Sequence, residues 1–548
     1  MGFFSYFCPA KLKCFWMIAV ESLISSVFMC DFYIKACFFT KLRVLIIISI
    51  MNHLSITRKV ALLLLLVVTM LPLNAYSRVT YFDVNGDGIA NVSDVSFLIS
   101  QLLNGDPFID GTKSFLKATD YGAVGDGQTD DTEALEALFA DAAELKKAAY
   151  IPAGTYMIRR PLTIKSGMEV YGDGDQSVIK KFRAYWHRTV AATQKGQTII
   201  PLDGIDGYRV GDHCFITTRE FANYPSARHC SFGEITAIDS VNKTVTFKSA
   251  FHAGAPETYA DGIVKAHVAG CYLSTSFPIL RSWSFKDECV GVYIHDICLD
   301  GNRQANEPME WTNACIHFDA YGSPMEGIAY NHHSYNHIVE RCTLLNSSYD
   351  AVSDQGEGRL FVSNCTITNA AMHGVHMGTD FVGAVITNNT MTGNGTMGAG
   401  VFFCQNVTDV VVYNNRISSF NHGCSDEEYG TQVKYTIIRN NTFSNITSHV
   451  FDFLKASTSS HGGGLQVSNN TINNLRGLLL SGRFLDDLVF SNNTVKSVSG
   501  SPSSLISVTD SKNVIIVGNK MPSGSSVSNP VVSTGTTNLI NDSNSWGS

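Results

Sequence analysis

The segment Met372–Asp380, MHGVHMGTD, sets two imidazoles three residues apart, His373 and His376, and one carboxylate, Asp350, stands 23 residues before the first of them. Imidazole and carboxylate are the side chains that move protons near neutral pH. A carboxylate beside an imidazole favours the protonated ring. Contact with Asp350 would therefore suit His373 to give up a proton, and on this reading His373 ranks above His376. Such contact requires a chain that returns to the same place every 23 to 26 residues.

A repeat of that length is present. The segments VERCTLLN, VSNCTITN, ITNNTMTG, VYNNRISS, IRNNTFSN, VSNNTINN, FSNNTVKS and IVGNKMPS align Cys342, Cys365, Asn389, Asn415, Asn441, Asn470, Asn493 and Asn519 in one column, with gaps of 23, 24, 26, 26, 29, 23 and 26. Periods of this size mark a solenoid, in which each coil buries its apolar face only by stacking on its neighbours. Coils about 4.8 Å apart let each buried amide of the column bond to the copies above and below. Cys298 is expected to begin the same column one coil earlier. The cysteines then read as small core residues, neither disulfides nor metal ligands.

A second column, Ile316, Val352, Val375, Val401, Cys424 and Val450, is apolar and must face inward. Alternation along a strand turns outward the residues two before it (Ala314, Asp350, His373, Ala399, His422) and one after it (His317, Ser353, His376, Phe402, Ser425). Asp350, His373 and His376 are thus candidate catalytic groups on one outer strip, lined by His317, Ser353 and His422. Asp319 and Glu427, outward by the same parity, are candidate second carboxyls. Asp354 aligns with Met377 and Phe403, which puts it inward or at a turn. The flanking loops RQANEPMEW and YGSPMEGIAYNHHSYNH offer Trp311, Tyr321 and Tyr330 as rings on which a sugar face stacks.

The stretch from Ala118, ATDYGAVGDGQTDDTEALEALFADAAELKKAAYIPAGTYMIRRPLTIKSGMEVYGDG, joins an Asp/Gly loop to a helix with Ala134, Leu135, Leu138 and Phe139 on one side, then to short Gly-punctuated strands. It resembles the N-terminal segment of the pectate-lyase-like superfamily, including polygalacturonase-related and tailspike-related right-handed β-helices. The resemblance implies that the helix caps the open end of the solenoid. The expected fold is all-β: a single-stranded right-handed parallel β-helix with an N-terminal helical cap and first coils at 117–182, coils at 276–537 and a tail at 538–548. Residues 183–275 break the period and alternate apolar and polar residues around the turn VNKT, which reads as a β-rich insertion of hairpins.

The chain begins differently. From Met51 it runs MNHLSITRK, VALLLLLVVTMLPL, NAYS: a basic start, a fourteen-residue apolar core and small residues at a cleavage point. That is a secretory signal peptide over 51–77, too short in its apolar core for the roughly 20 residues of a spanning helix. Export follows, with no stable membrane insertion if translation starts at Met51 and residues 1–50 are an upstream extension. Next, DVNGDGIANVSD places Asp83, Asn85, Asp87, Asn91 and Asp94, with the Ile89 carbonyl, at the spacing of a calcium loop, and Gly88 at its sharp turn. This loop and the helix after it resemble one repeat of a dockerin domain, a small α-helical module at 78–106 joined by a linker at 107–116. The resemblance implies a cohesin-like or cell-surface partner.

Composition excludes one class. Charged residues make up 16% and the net charge is −8, which leaves no basic footprint for nucleic acid. The pair YDAVSD and MHGVHMG resembles the DD and HG motifs that polygalacturonase-type glycosidases carry on successive coils, with Asp350 on the second Asp and His373 on the histidine. Tyr349 and Ala314 stand where that family has further carboxylates. The resemblance implies a glycoside hydrolase acting on a pectin-like polysaccharide, with calcium structural and no catalytic cofactor. Two alternatives stay open: a polysaccharide lyase working through His373 or His376, and a carbohydrate-binding or adhesive β-helix without catalysis. No lysine occurs between Lys286 and Lys434, which disfavours a lysine-based lyase at the strip.

Overall fold

Each coil is built from short strands whose alternate residues are Val, Ile, Leu, Met or Phe, separated by corners that only a residue tolerant of positive φ can turn. Asn364, Asn388, Asn414, Asn440, Asn469 and Asn492 make one such corner with φ between 54° and 58°, a conformation Asn adopts more readily than other side-chain-bearing residues. The residue after each is the column member seen in the sequence. Coil stacking then produces the ladder: Asn389 Oδ1 accepts Cys365 N–H at 2.8 Å, Asn415 Oδ1 accepts Asn389 N–H at 2.9 Å, and the series continues through Asn441, Asn470, Asn493 and Asn519. Each side-chain N–H2 also bonds a neighbouring carbonyl, as Asn441 does with Val412 at 2.9 Å. The asparagines are buried and saturated.

The computed structural model describes residues 114–547 except 195, 218–230, 249–266, 283–288, 307–312, 319–320, 324–327, 332–333, 396, 427–431, 455, 457–459, 500–502, 524–526 and 528. The expected export segment and the expected calcium loop, with Asp83, Asn85, Asp87, Ile89, Asn91 and Asp94, lie outside the described residues. So do Trp311, Asp319 and Glu427. Among the described residues the chain forms an almost all-β parallel solenoid: one sheet of 26 strands takes two sides of the coils and a second of 11 strands takes another. No helix among them is long and apolar enough to cross a membrane.

The 11-stranded sheet carries the strip. Its register aligns Leu280, Ile316, Val352, Val375, Val401, Cys424, Phe451 and Leu480, and these side chains are buried in the core. Phe451, not Val450, is therefore the member after Cys424; both are buried, so hydrophobicity alone gave no phase there. A similar shift applies to the other column. Cys298 pairs with Thr343 and not with Cys342, because the corner of its coil is Asp296 (φ 49°), in step with Arg341 (φ 51°), so that Ile297 and not Cys298 follows the corner as Cys342 does.

The helix Thr132–Leu145 closes the N-terminal end, with Leu135, Leu138, Phe139 and Ala142 in the same core as the coils. Asp131 just before it holds the preceding loop by accepting Val124 N–H and Gly125 N–H at 2.6 and 3.2 Å. Gly125 is required there: its φ is 68°, and a Cβ would lie 2.8 Å from the buried Tyr156 ring. Between the cap and the later coils, six strands form an antiparallel sheet from Trp186–Arg188 to Tyr272–Ser274 with its own core of Ile200, Ile216, Ile235, Val245, Phe247 and Leu273. Arg159 ties it to the cap through Asp212 at 2.9 Å and the Gly207 carbonyl at 3.0 Å. At the other end the strand Thr537–Asp542 still pairs with Lys512–Val517, and Asn544 Oδ1 accepts Asn519 N–H. The last coil thus runs through the residues expected to be a tail from 538; NDSN lacks the NNT signature that marked earlier coils.

Candidate functional site

The strip is assembled by coil stacking, as its parity required. Outward from the sheet lie Arg281, His317, Ser353, His376, Phe402, Ser425 and Asp452 in one register column. Most of it is buried: His317 and Ser353 are fully covered, and Arg281 and Phe402 nearly so.

Asp350 makes its contacts across two columns. Its Oδ1 accepts the backbone N–H of His373 at 3.1 Å, and its Oδ2 accepts Nδ1–H of His376 at 2.7 Å. The Ser347 hydroxyl donates to the Asp350 carbonyl, fixing the turn that presents it. The carboxylate is 0% exposed and both oxygens are taken. His376 keeps 8% exposure, the most of the three. Its ring stands edge-on to Phe402 and His373, with centroids at 4.9 and 5.3 Å. Because Nδ1 carries the proton given to Asp350, Nε2 carries the lone pair. Gln355 Nε2 stands 3.5 Å from it and bonds Ser353 Oγ at 3.0 Å.

His373 does something else. Its Nδ1 accepts Ala399 N–H at 3.0 Å, and its ring lies flat on Phe402 at 3.9 Å between centroids. Burial outweighs the pull of Asp350 and pushes the pKa of the ring down to about 3. The expectation of a protonated His373 is therefore reversed: desolvation penalises the charged ring, while the carboxylate that was to favour it is bonded to its backbone and to the other histidine. The side-chain partner of Asp350 is His376.

The ligand atoms of Asp350, His373 and His376 lie within 4.8 Å of one another. Two imidazoles and a carboxylate are a donor set that divalent metals accept. The hydrogen bonds as placed oppose it. With Nδ1 of His373 occupied by Ala399 N–H, its Nε2 must carry the proton, and Nδ1 of His376 is engaged with Asp350. Of the two rings, only His376 turns a lone pair, that of Nε2, away from this cluster, towards Gln355 Nε2 at 3.5 Å, so the arrangement is that of an oriented imidazole.

His422 lies further along, its Nδ1 3.6 Å from Asp452 Oδ2 and its ring 5.8 Å from that of His449. His449 and Asp452 were missed in the sequence; both read as outward once the column is phased on Phe451. Asp354 is inward, in register with Phe318 and Met377. Its Oδ1 accepts Gly356 N–H at 2.9 Å, Oδ2 has no partner among the described residues, and burial raises its carboxyl to about 8. Tyr321 and Tyr330 fall in the paired strands Tyr321–Ser323 and Ile328–Asn331. Lys181 was also missed, being far off in sequence: its buried Nζ donates to the Phe277 carbonyl at 2.8 Å and to Ser348 Oγ at 3.3 Å, close to the turn that carries Asp350.

Two family models match the chain. One, described as rhamnogalacturonase A/epimerase, pectate lyase-like, covers residues 115–242, and the other, right handed beta helix region, covers 326–495. The chain is a right-handed parallel β-helix. Together with the solenoid these matches support the pectate-lyase-like superfamily. Similar solved structures include the A-module of mannuronan C-5 epimerase AlgE6 from Azotobacter vinelandii, at TM-score 0.48 and 14% identity over 78% of this chain and 99% of that one. The surface adhesin PfbA of Streptococcus pneumoniae matches at 0.49 and 13%, over 79% and 92%. A hyperthermoactive exopolygalacturonase from Thermotoga maritima matches at 0.42 and 11%, over 78% and 91%. Among curated proteins, a 52-residue stretch is 44% identical to the non-secreted LysM effector LysM19 of Penicillium expansum, and covers 10% of this chain and 4% of that protein's length.

Proposed function

We propose that this β-helix processes a uronate-containing polysaccharide by abstracting the proton α to the sugar carboxylate, with His376 as the base. The observation that carries this reading is the 2.7 Å bond from His376 Nδ1 to Asp350. A buried carboxylate holding Nδ1–H orients an imidazole and stabilises the imidazolium that forms, leaving Nε2 to take a proton, the arrangement of acid–base histidines generally. The match to a pectate-lyase-like family model supports a polysaccharide-related role. Asp350 is a positioning residue, since its buried oxygens are both engaged and cannot reach a glycosidic oxygen.

In the proposed step Nε2 of His376 removes the C5 proton. The C5–H electron pair becomes the C4–C5 double bond as the C4–O bond breaks, and the imidazolium returns its proton to the departing oxygen. Hydrolysis by inversion instead needs two carboxyls roughly 6.5–9.5 Å apart, and Asp350 is not free to be either. Product analysis on a panel of acidic polysaccharides tests this: new ultraviolet absorbance from the conjugated unsaturated uronate is expected. Release of reducing ends without that absorbance would replace the reading with hydrolysis. The same proposal includes export of the chain and a calcium-stabilised N-terminal attachment module, on the sequence evidence alone.

A further inference from the structure

A second feature lies on the other sheet, at the corner made by Asn414. The outward column of the strands that follow the asparagine ladder reads Thr343, Thr366, Thr390, Arg416, Thr442, Thr471 and Thr494 in register. Within this run Arg416 alone departs from threonine; beyond it the column goes on to Lys520 and Ser545. Around Arg416 is a cleft of about 180 Å³ lined by Asn388, Thr390, Asn414, Arg416, Asn440 and Thr442, with the ladder residues Asn389 and Asn415 at its floor.

The exposed asparagines of this corner bond from Asn414 Nδ2 to Asn388 Oδ1 at 2.7 Å, and the run stops there. Among the described residues the Asn440 amide, the Asn414 Oδ1 and the hydroxyls of Thr390 and Thr442 have no side-chain partner, and Arg416 has neither an ion pair nor a side-chain hydrogen bond. The other arginines of this wall are engaged: Arg341 pairs with Asp296, Arg359 lies over Tyr335 and Arg439 over Tyr413. A guanidinium offers five N–H donors in a fork that matches a carboxylate. Here that fork stands between two hydroxyls and amides that can both donate and accept, the complement a sugar's hydroxyls need, in a space of one sugar ring.

We infer that the Arg416 cleft binds a carboxylated sugar unit, and so anchors an acidic polysaccharide at a place separate from the Asp350–His376 pair. Binding here involves no bond making or breaking and does not depend on His376 being a base.

The test is calorimetric titration of the full chain with a trigalacturonate and with a neutral trisaccharide of the same length. For wild type the acidic probe should bind, weakening as salt is raised. Arg416→Ala should lose that contribution, about tenfold or more in affinity at this step, and Arg416→Lys should regain part of it. Adding His376→Ala to both the wild type and the Arg416→Ala variant should leave the difference between them intact, which separates failure of this inference from failure of the proposed catalysis. Superimposable acidic-probe isotherms for wild type and Arg416→Ala would overturn the inference. So would an equal loss by Arg416→Ala with the neutral probe. Circular dichroism should be the same for all variants, since Arg416 is on the surface.

Discussion

The asparagine column and the histidine strip are made by the same stacking of the same coils, yet they differ in one respect. In the first, coil after coil presents the same residue, buried and bonded identically to the next. In the second, successive coils present Arg281, His317, Ser353, His376, Phe402, Ser425 and Asp452. Identity in the ladder is explained by the ladder, since each amide satisfies its neighbour. Variety in the strip has no such explanation from stacking. A solenoid therefore separates its own structural needs from what else it carries: repetition marks the scaffold, and departures from repetition mark sites. Arg416 in a run of threonines is the same signal on another wall.

The comparison breaks most sharply at His376. His376→Ala is expected to lower turnover per folded molecule about 10²- to 10⁴-fold, the usual loss for an acid–base group, and also to lower the melting temperature, because the buried Asp350 carboxylate is left without its side-chain partner. Asp350→Asn should fall in the same range, because the amide no longer provides a charged acceptor for Nδ1–H. A full rate for His376→Ala, on a substrate the wild type cleaves, would return the strip to the scaffold class.

The ladder predicts a different split. Asn441→Ala removes the acceptor of Asn415 N–H and Nδ2–H and the donor to Val412 and Asn470. Leaving buried groups unpaired should lower stability by about 3 kcal/mol, read from denaturant midpoints, while turnover per folded molecule holds. His373 should behave as part of the wall. His373→Ala is expected to lose about 2–3 kcal/mol through the stack on Phe402 and the orphaned Ala399 N–H, and its titration, near 3, should leave no inflection in the pH–rate profile around neutrality.

Asp354 supplies a pH test of inward parity. With its carboxyl raised from 3.8 to about 8 by burial, the folded chain holds a proton that the unfolded chain has already lost between those values. Its contribution is thus fully present below about pH 4 and declines as pH rises towards 8, by of order a few kcal/mol in all. Asp354→Asn keeps the acceptor for Gly356 N–H and should flatten that part of the stability profile. If the mutant's profile matched the wild type's, Asp354 would be hydrated and not part of the core. The smallest effect is expected at Thr390→Ala, on the exposed face, within about 0.5 kcal/mol of wild type.

How far the sequence could be read depends on the range of the physics involved. The coil period, the asparagine column, the capping helix and the outward parity of Asp350, His373 and His376 come from local rules: which residues turn a corner, and which alternate along a strand. Where two apolar residues adjoin, as Val450 and Phe451 do, alternation loses its phase, and His449 and Asp452 went unseen for that reason. Lys181 reaches Ser348 from 167 residues away, and no local rule could bring it there. The sequence by itself thus determined that an imidazole would meet Asp350 on the wall of a solenoid. Only the tertiary structure decided that it is His376, because the direction of a buried carboxylate depends on every donor around it: the His373 and Ala399 backbone N–H groups took the places that the other assignment required, and burial left His373 neutral.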